Sequence, residues 1–172
     1  MTSEPAGFDS AHFRAVLGHF PTGVTVVTGL TGVSGDRPIG FTIGSFTSIS
    51  LDPPLVGFLA MTDSDTWSAM APAGVFCVNV LRNTQADLCW RFAKQGNEAN
   101  RFDGLSWFPS TTTGCPIIDG VGAWIDCAVE RTIELGDHFL VVGAVVALDH
   151  YDDTHVPLVF YRGALGGFSA EG

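Results

Sequence analysis

The chain has 172 residues, 46% of them hydrophobic and 15% charged, with a formal net charge of −10. That length suits one domain, read here as 1–172 with a flexible stretch over 1–9 and a tail over 164–172, and it is enough to bury roughly two thirds of the unfolded surface. The acidic balance excludes nucleic acid and anionic membrane as partners, because both need clustered Lys and Arg, and the eight basic residues are scattered from Arg14 to Arg162.

The first ten residues, MTSEPAGFDS, have neither a basic start nor an apolar run, so no signal peptide is predicted. No stretch approaches the length of a membrane span. Ser10 can cap a first helix in which Phe13, Val16, Leu17 and Phe20 recur at helical spacing, and Pro21 stops it. GVTVVTG, residues 23–29, is β-branched and predicts a strand, followed by a turn at Gly32, Gly35 and Asp36. Residues 38–60 read as a strand, a loop of small polar residues and, after Pro53-Pro54, a second strand at Leu55–Leu59. A short helix is predicted at Thr66–Met70 and a buried strand at VFCVNVL, 75–81. Asn83 can cap a helix carrying Leu88, Phe92 and Ala93. An irregular stretch, about 95–122, precedes three strand signals: AWIDCAVER, HFLVVGAVVALD and PLVFYRG.

These elements amount to six or more strands with helices only in the connections. They do not alternate with long helices, which argues against a doubly wound parallel sheet. An antiparallel barrel is the natural way to bury many apolar strands without open edges. Cys77, Cys89, Cys115 and Cys127 are widely separated, with no CxxC pair, and read as reduced, mostly buried thiols in a cytoplasmic chain.

The common catalytic signatures are absent. There is no P-loop, no GxGxxG after a strand, no HExxH and no GxSxG. His150 and His155 lie beside Asp152 and Asp153 without a third ligand, a solvated loop more than a zinc site, so no metal is expected. Three stretches remain. Gly40–Ser50 is rich in hydroxyls and small residues; it is either a plain turn or a loop whose backbone N–H groups hold a phosphate and lie close against a flat ring. Gly136-Asp137-His138 precedes an apolar strand; it is either a hairpin entry or a site where His138, at a barrel mouth, donates to a ligand amide. Arg101-Phe102-Asp103-Gly104 offers Phe102, which can flank a flat ring or fill core beneath a loop.

Taken in order, FPTGVTVVT, GFTIGSFTSISLDPPLV, FCVNVL, RFDG, GDHFLVVGAV and PLVFYRG resemble the flavin reductase-like family, from about Phe13 to Gly163. Its most specific parts are Ser48–Pro54 and 136–138. The family comprises the short reductase components of two-component flavin-dependent monooxygenases. The resemblance implies a mainly β fold, the antiparallel, Greek-key-like FMN-binding split barrel with short connecting helices. It also implies a homodimer with flavin near the subunit interface. Thr42, Ile43, Gly44, Ser45, Ser48 and Ser50 would lie along the flavin ring and ribityl chain. Ser64 and Thr66 would help hold its phosphate, and Arg101, Phe102 and Asp137 complete the matched set. His138 would lie on the nicotinamide side and is the residue assigned to catalysis.

The reaction so implied moves a hydride from NADH or NADPH to FMN or FAD, and the reduced flavin passes, by diffusion if need be, to a flavin-dependent oxygenase. The nicotinamide must come to near-attack distance of the flavin, roughly 3–3.5 Å. Backbone N–H groups of Thr42–Ser45 would steady charge developing on the flavin, and no acid–base pair is required. Ser64-Asp65-Thr66 contains no Lys or Arg. A loosely held, exchangeable flavin is therefore expected, with Kd near the micromolar range, about −8 kcal/mol. Two other readings stay open: a split barrel with tightly bound FMN acting as an oxidase or electron carrier, and a non-catalytic flavin-binding module.

Overall fold

The computed structural model describes residues 7–33, 37–96, 98–151 and 154–169. The turn residues Gly35 and Asp36, the loop residues Asp152 and Asp153, and the ends of the chain lie outside them.

The chain opens with α1 (Ser10–Leu17), capped by Asp9, whose carboxylate accepts the His12 N–H at 2.7 Å. The cap was expected at Ser10, one residue later; Asp9 takes it because it is the residue that stands three before a free N–H. Next come β1 (Thr22–Gly23), β2 (Thr25–Leu30), β3 (Pro38–Ile43), β4 (Thr47–Leu51) and β5 (Pro54–Met61). Then follow α2 (Asp65–Met70), β6 (Val75–Val80) and α3 (Ala86–Ala93). Short β7 (Trp107–Pro109) and β8 (Pro116–Ile118) cross the irregular region. The long β9 (Ala123–Leu135) and β10 (His138–His150) lead to β11 (Leu158–Tyr161) and β12 (Ala164–Gly167).

The polar loop after β3 carries a strand of its own, because Ser48 and Ser50 pair with Val56 and Leu55 of β5. Residues 164–167 begin no tail but form β12, paired with β11 from Tyr161↔Ala164 to Leu158↔Gly167. α3 also starts later than Asn83, which lies in a 3-10 turn where the Gln85 side chain accepts the Arg82 N–H.

The main sheet is antiparallel, with strand order β3-β2-β6-β9-β10-β5-β4; the consecutive strands β2/β3, β4/β5 and β9/β10 pair as neighbours, and Greek-key-like crossovers join these pairs in the sheet. It curls on itself. Val27 of β2, Ile39 of β3, Phe58 of β5, Phe76 of β6 and Val141 of β10 share one core with Trp67 and Met70 of α2. Phe41 of β3 meets Phe58 of β5 edge to face at 5.9 Å, so the two ends of the sheet face each other across a seam. Gly143 permits the closure: a Cβ there would lie 2.4 Å from the Phe76 ring. A second core, with Val26, Leu81, Phe92 and Leu158, lies on the other face of β2. β2 is thus covered on both sides, which explains an unbroken run of buried residues in place of alternation.

Candidate functional site

The seam between β3 and β5 opens into a cavity of about 660 Å3, within the usual range for small-molecule sites. Five parts of the chain line it: the end of β3 with Gly44 and Ser45, the end of β5, the start of α2, the end of α3 with residues up to Arg101, and His138. Of the residues named from the sequence, Thr42, Ile43, Gly44, Ser45, Ser64, Thr66, Arg101 and His138 come together here.

β3 is an edge strand, paired only with β2. The Ile43 carbonyl turns inward and accepts the Thr25 hydroxyl at 2.9 Å, whereas the Gly40 carbonyl turns outward to Arg101. Strand alternation therefore puts the main-chain N–H and C=O of Thr42 on the free edge at the cavity. The side chains are committed elsewhere. Thr42 Oγ1 donates to the Cys89 carbonyl at 2.7 Å, tying β3 to α3. Ser45 Oγ accepts the Leu59 N–H at 2.9 Å, closing the seam. Ser64 Oγ caps α2 through the Trp67 N–H at 3.2 Å. What this edge offers a ligand is backbone, a flat row of donors and acceptors suited to a planar heterocycle.

Arg101 is the cation of the site, and only 3% of its side chain is exposed. Its Nη1 donates to the Gly40 carbonyl at 2.8 Å and Thr66 Oγ1 at 3.1 Å. Its Nη2 donates to the Lys94 carbonyl at 2.7 Å and Glu98 Oε1 at 3.2 Å. Burial draws its pKa downward, and Glu98 opposes that. Arg101 thus clamps β3, α2 and the end of α3 around the cavity. Its Nε is buried without a partner, a polar atom left to an anion or carbonyl. Free edge groups, an enclosed cation with a spare donor and an apolar wall of Phe41, Leu59, Met61 and Phe92 fit a flavin.

His138 starts β10, opposite Met61 of β5, and is reached through the two-residue turn Gly136-Asp137. Gly136 has φ +64°, the left-handed region that a type II′ turn demands at its first central residue. The Asp137 carbonyl accepts both the N–H and hydroxyl of Thr62, at 3.0 and 3.2 Å, which fixes the turn against the end of β5. The exposed Asp137 carboxylate lies 2.7 Å from His138 Nδ1, and that partner holds its pKa below the ordinary value. A carboxylate only accepts, so His138 Nδ1 is the donor of this pair, which fixes the ring and leaves Nε2 facing away from Asp137.

Four named residues are not brought into the cavity. Ser48 and Ser50 lie on β4 at the far edge of the sheet. Asp137 acts through His138 and does not line the wall. Phe102 packs edge to face on Phe92 at 5.2 Å and on Trp107 at 6.0 Å, and lines a neighbouring cavity. Conversely, Leu59, Met61, Gln95 and Glu98 line the cavity without having been singled out. Their place follows from register, such as Met61 opposite His138, and no local motif announces it.

All four cysteines are buried and free. Burial raises Cys115 to about 11 and Cys127 to about 12. Among the described residues no group of three or more His, Cys, Asp or Glu could hold a metal, and no helix is long and apolar enough to cross a membrane.

Comparison with known proteins agrees with this architecture. A flavin reductase from Pseudomonas putida is 45% identical over 165 residues, covering 96% of this chain and 94% of its own. The reductase subunit HsaB of a flavin-dependent monooxygenase from Mycobacterium tuberculosis is 44% identical over 167 residues, 96% of this chain and 86% of its own. The crystal structure of nitrilotriacetate monooxygenase component B from Mycobacterium thermoresistibile superposes with a TM-score of 0.87 at 42% identity, over 94% of this chain and 87% of the other. The family model for the flavin reductase like domain matches residues 17–169, from the end of α1 to beyond β12, and the chain belongs to that family.

Proposed function

We propose that the chain transfers a hydride from NADH or NADPH to FMN or FAD in the cavity beneath His138 and releases the reduced flavin to a flavin-dependent oxygenase. The observation that carries this reading is the free edge of β3 facing His138 across one cavity, with Arg101 at its wall. Bound flavin supplies the redox chemistry by accepting the hydride. The chain supplies position and polarity. The main-chain groups of Thr42 and its neighbours meet the polar edge of the ring, and Leu59 and Met61 exclude water from one side. His138 Nε2 accepts from the nicotinamide carboxamide, with Asp137 holding the imidazole in place. Arg101 keeps the three elements at their spacing and sets a positive charge beside the start of α2.

Flavin is exchangeable on this reading, since the groups nearest Ser64 and Thr66 include Asp63 and Asp65, and Arg101 spends four of its hydrogen bonds on the protein itself. The assembly is a homodimer in the cytoplasm. Exposed apolar side chains, Leu51 on β4, Ile133 and Leu135 on β9 and Leu148 on β10, support a covered sheet face, and four buried free thiols suit a reducing compartment.

The test mixes dialysed protein, NADH and increasing FMN or FAD, and follows NADH absorbance. Oxidation that rises with added flavin and saturates in the micromolar range is expected. Protein that stays yellow after dialysis and ignores added flavin would instead favour a bound-flavin oxidase or carrier. Flavin binding without NADH oxidation would favour a simple binding module.

A further inference from the structure

Every residue from Leu59 to Thr66 lines the cavity except Thr62. Thr62 is exposed and turns away from the ligand space, yet both of its donors converge on one atom. Its N–H donates to the Asp137 carbonyl at 3.0 Å and its hydroxyl donates to the same oxygen at 3.2 Å. A carbonyl oxygen has two lone pairs, so Thr62 occupies both acceptor sites of this one.

That carbonyl belongs to the peptide group leading into His138. The peptide unit is planar from one Cα to the next, so fixing the Asp137 oxygen also fixes the N and Cα of His138. The direction in which the imidazole leaves the chain is set by the same plane. Little else holds this corner by packing. A Cβ on Gly136 would have no atom within 4 Å. The Asp137 side chain is 87% exposed and that of His138 36%. The N–H bond continues the pairing of β10 with β5 one step past His138↔Met61, as any residue other than Pro could. The hydroxyl bond is specific to this side chain, and the β-branch of Thr holds the hydroxyl in few rotamers.

We propose that Thr62 is a positioning residue that holds His138 over the cavity through the Asp137–His138 peptide group. Its effect on NADH rests on the hydride-transfer reading above; its effect on the imidazole does not. The substitution that isolates the hydroxyl is Thr62→Val, which keeps the β-branched shape and the backbone N–H, and Thr62→Ser returns the hydroxyl.

Two measurements on the full chain test this: flavin-dependent NADH oxidation with a flavin titration, and the imidazole nitrogen shifts of His138 by NMR, assigned by their loss in His138→Ala. Loss of one neutral hydrogen bond that acts indirectly is expected to raise KM for NADH about threefold, with kcat and flavin Kd unchanged. The imidazole shifts should move in Thr62→Val, and Thr62→Ser should restore both KM and shifts. In a His138→Ala background Thr62→Val should add nothing, since residues that act as one unit are not additive. The proposal is overturned if Thr62→Val leaves KM and the imidazole shifts unaltered, if it raises flavin Kd as much as KM, if Thr62→Ser fails to restore them, or if the effect on KM persists without His138. A parent that oxidises no NADH with added flavin, but whose imidazole shifts respond to Thr62→Val and recover in Thr62→Ser, would remove the hydride-transfer reading and leave Thr62 as the residue that holds His138.

Discussion

At the scale of single residues, the site separates groups that face a ligand from groups that hold other groups. His138 faces the ligand. His138→Ala removes one neutral hydrogen bond, worth roughly 0.5–1.5 kcal/mol, so a several-fold rise in KM for NADH is expected with flavin Kd unchanged. Steady-state kinetics beside a flavin titration check this, and equal damage to both constants would make His138 a general structural residue. Arg101 holds other groups. Arg101→Leu strips donors from the Gly40 and Lys94 carbonyls and leaves Glu98 without its cation. Breaking a buried, hydrogen-bonded charge pair costs roughly 3–5 kcal/mol, and the half-open position of Glu98 puts this case at the lower end. Denaturant unfolding should therefore show a loss of about 3 kcal/mol, with Arg101→Lys recovering part. A stable Arg101→Leu protein that has lost only flavin affinity would contradict the clamp.

At the scale of elements, the edge strand β3 decides the geometry of the site. Its outer edge stays open because α3 and the Arg101 clamp hold it away from β5 while Ser45 ties the loop to Leu59. The close approach is possible only at a glycine. A Cβ on Gly40 would lie 2.8 Å from the Val27 carbonyl, 3.1 Å from the Thr28 methyl and 3.3 Å from the Phe92 ring. Gly40→Ala is expected to push β3 off α3, to destabilise the protein by roughly 1–3 kcal/mol and to weaken flavin binding in step. Thermal melting and flavin titration of the variant measure the two together. Unaltered melting would mean that Phe92 and β2 can give way, and that the strand position matters less than argued here.

At the scale of the whole molecule, the buried thiols set an alkaline limit. Cys115 and Cys127 have folded pKa values of about 11 and about 12, above the ordinary 9.0, chiefly because burial disfavours the thiolate. The folded state therefore binds more protons than the unfolded chain between those values. The contribution is intact below pH 9 and is lost as pH rises toward 11–12. Denaturation midpoints should fall over that window, and Cys115→Ala should flatten the fall. A midpoint constant from pH 9 to 11 would refute the assignment. Assembly belongs to the same scale: light scattering is expected to give twice the 18.2 kDa chain mass.

The longer apolar strands and their order along the chain were legible in the sequence, because β-branched apolar runs bounded by Gly and Pro have few other ways to bury themselves. GVTVVTG, VFCVNVL and the last three apolar runs all lie in strands, and the motifs at 40–50 and 136–138 carry the family resemblance. Which residues of those motifs reach the cavity was decided only in three dimensions. Ser45 and Ser48 are three residues apart and equally polar, yet one closes the seam and the other pairs at the opposite edge of the sheet. The role of Arg101 and the placing of Phe102 in a second cavity likewise depend on how the curled sheet brings β3, α2 and α3 together. The physical reason is range. Local sequence sets backbone preference over a few residues, while a binding wall is assembled by register and closure between strands far apart in the chain, and those are settled by packing the whole core.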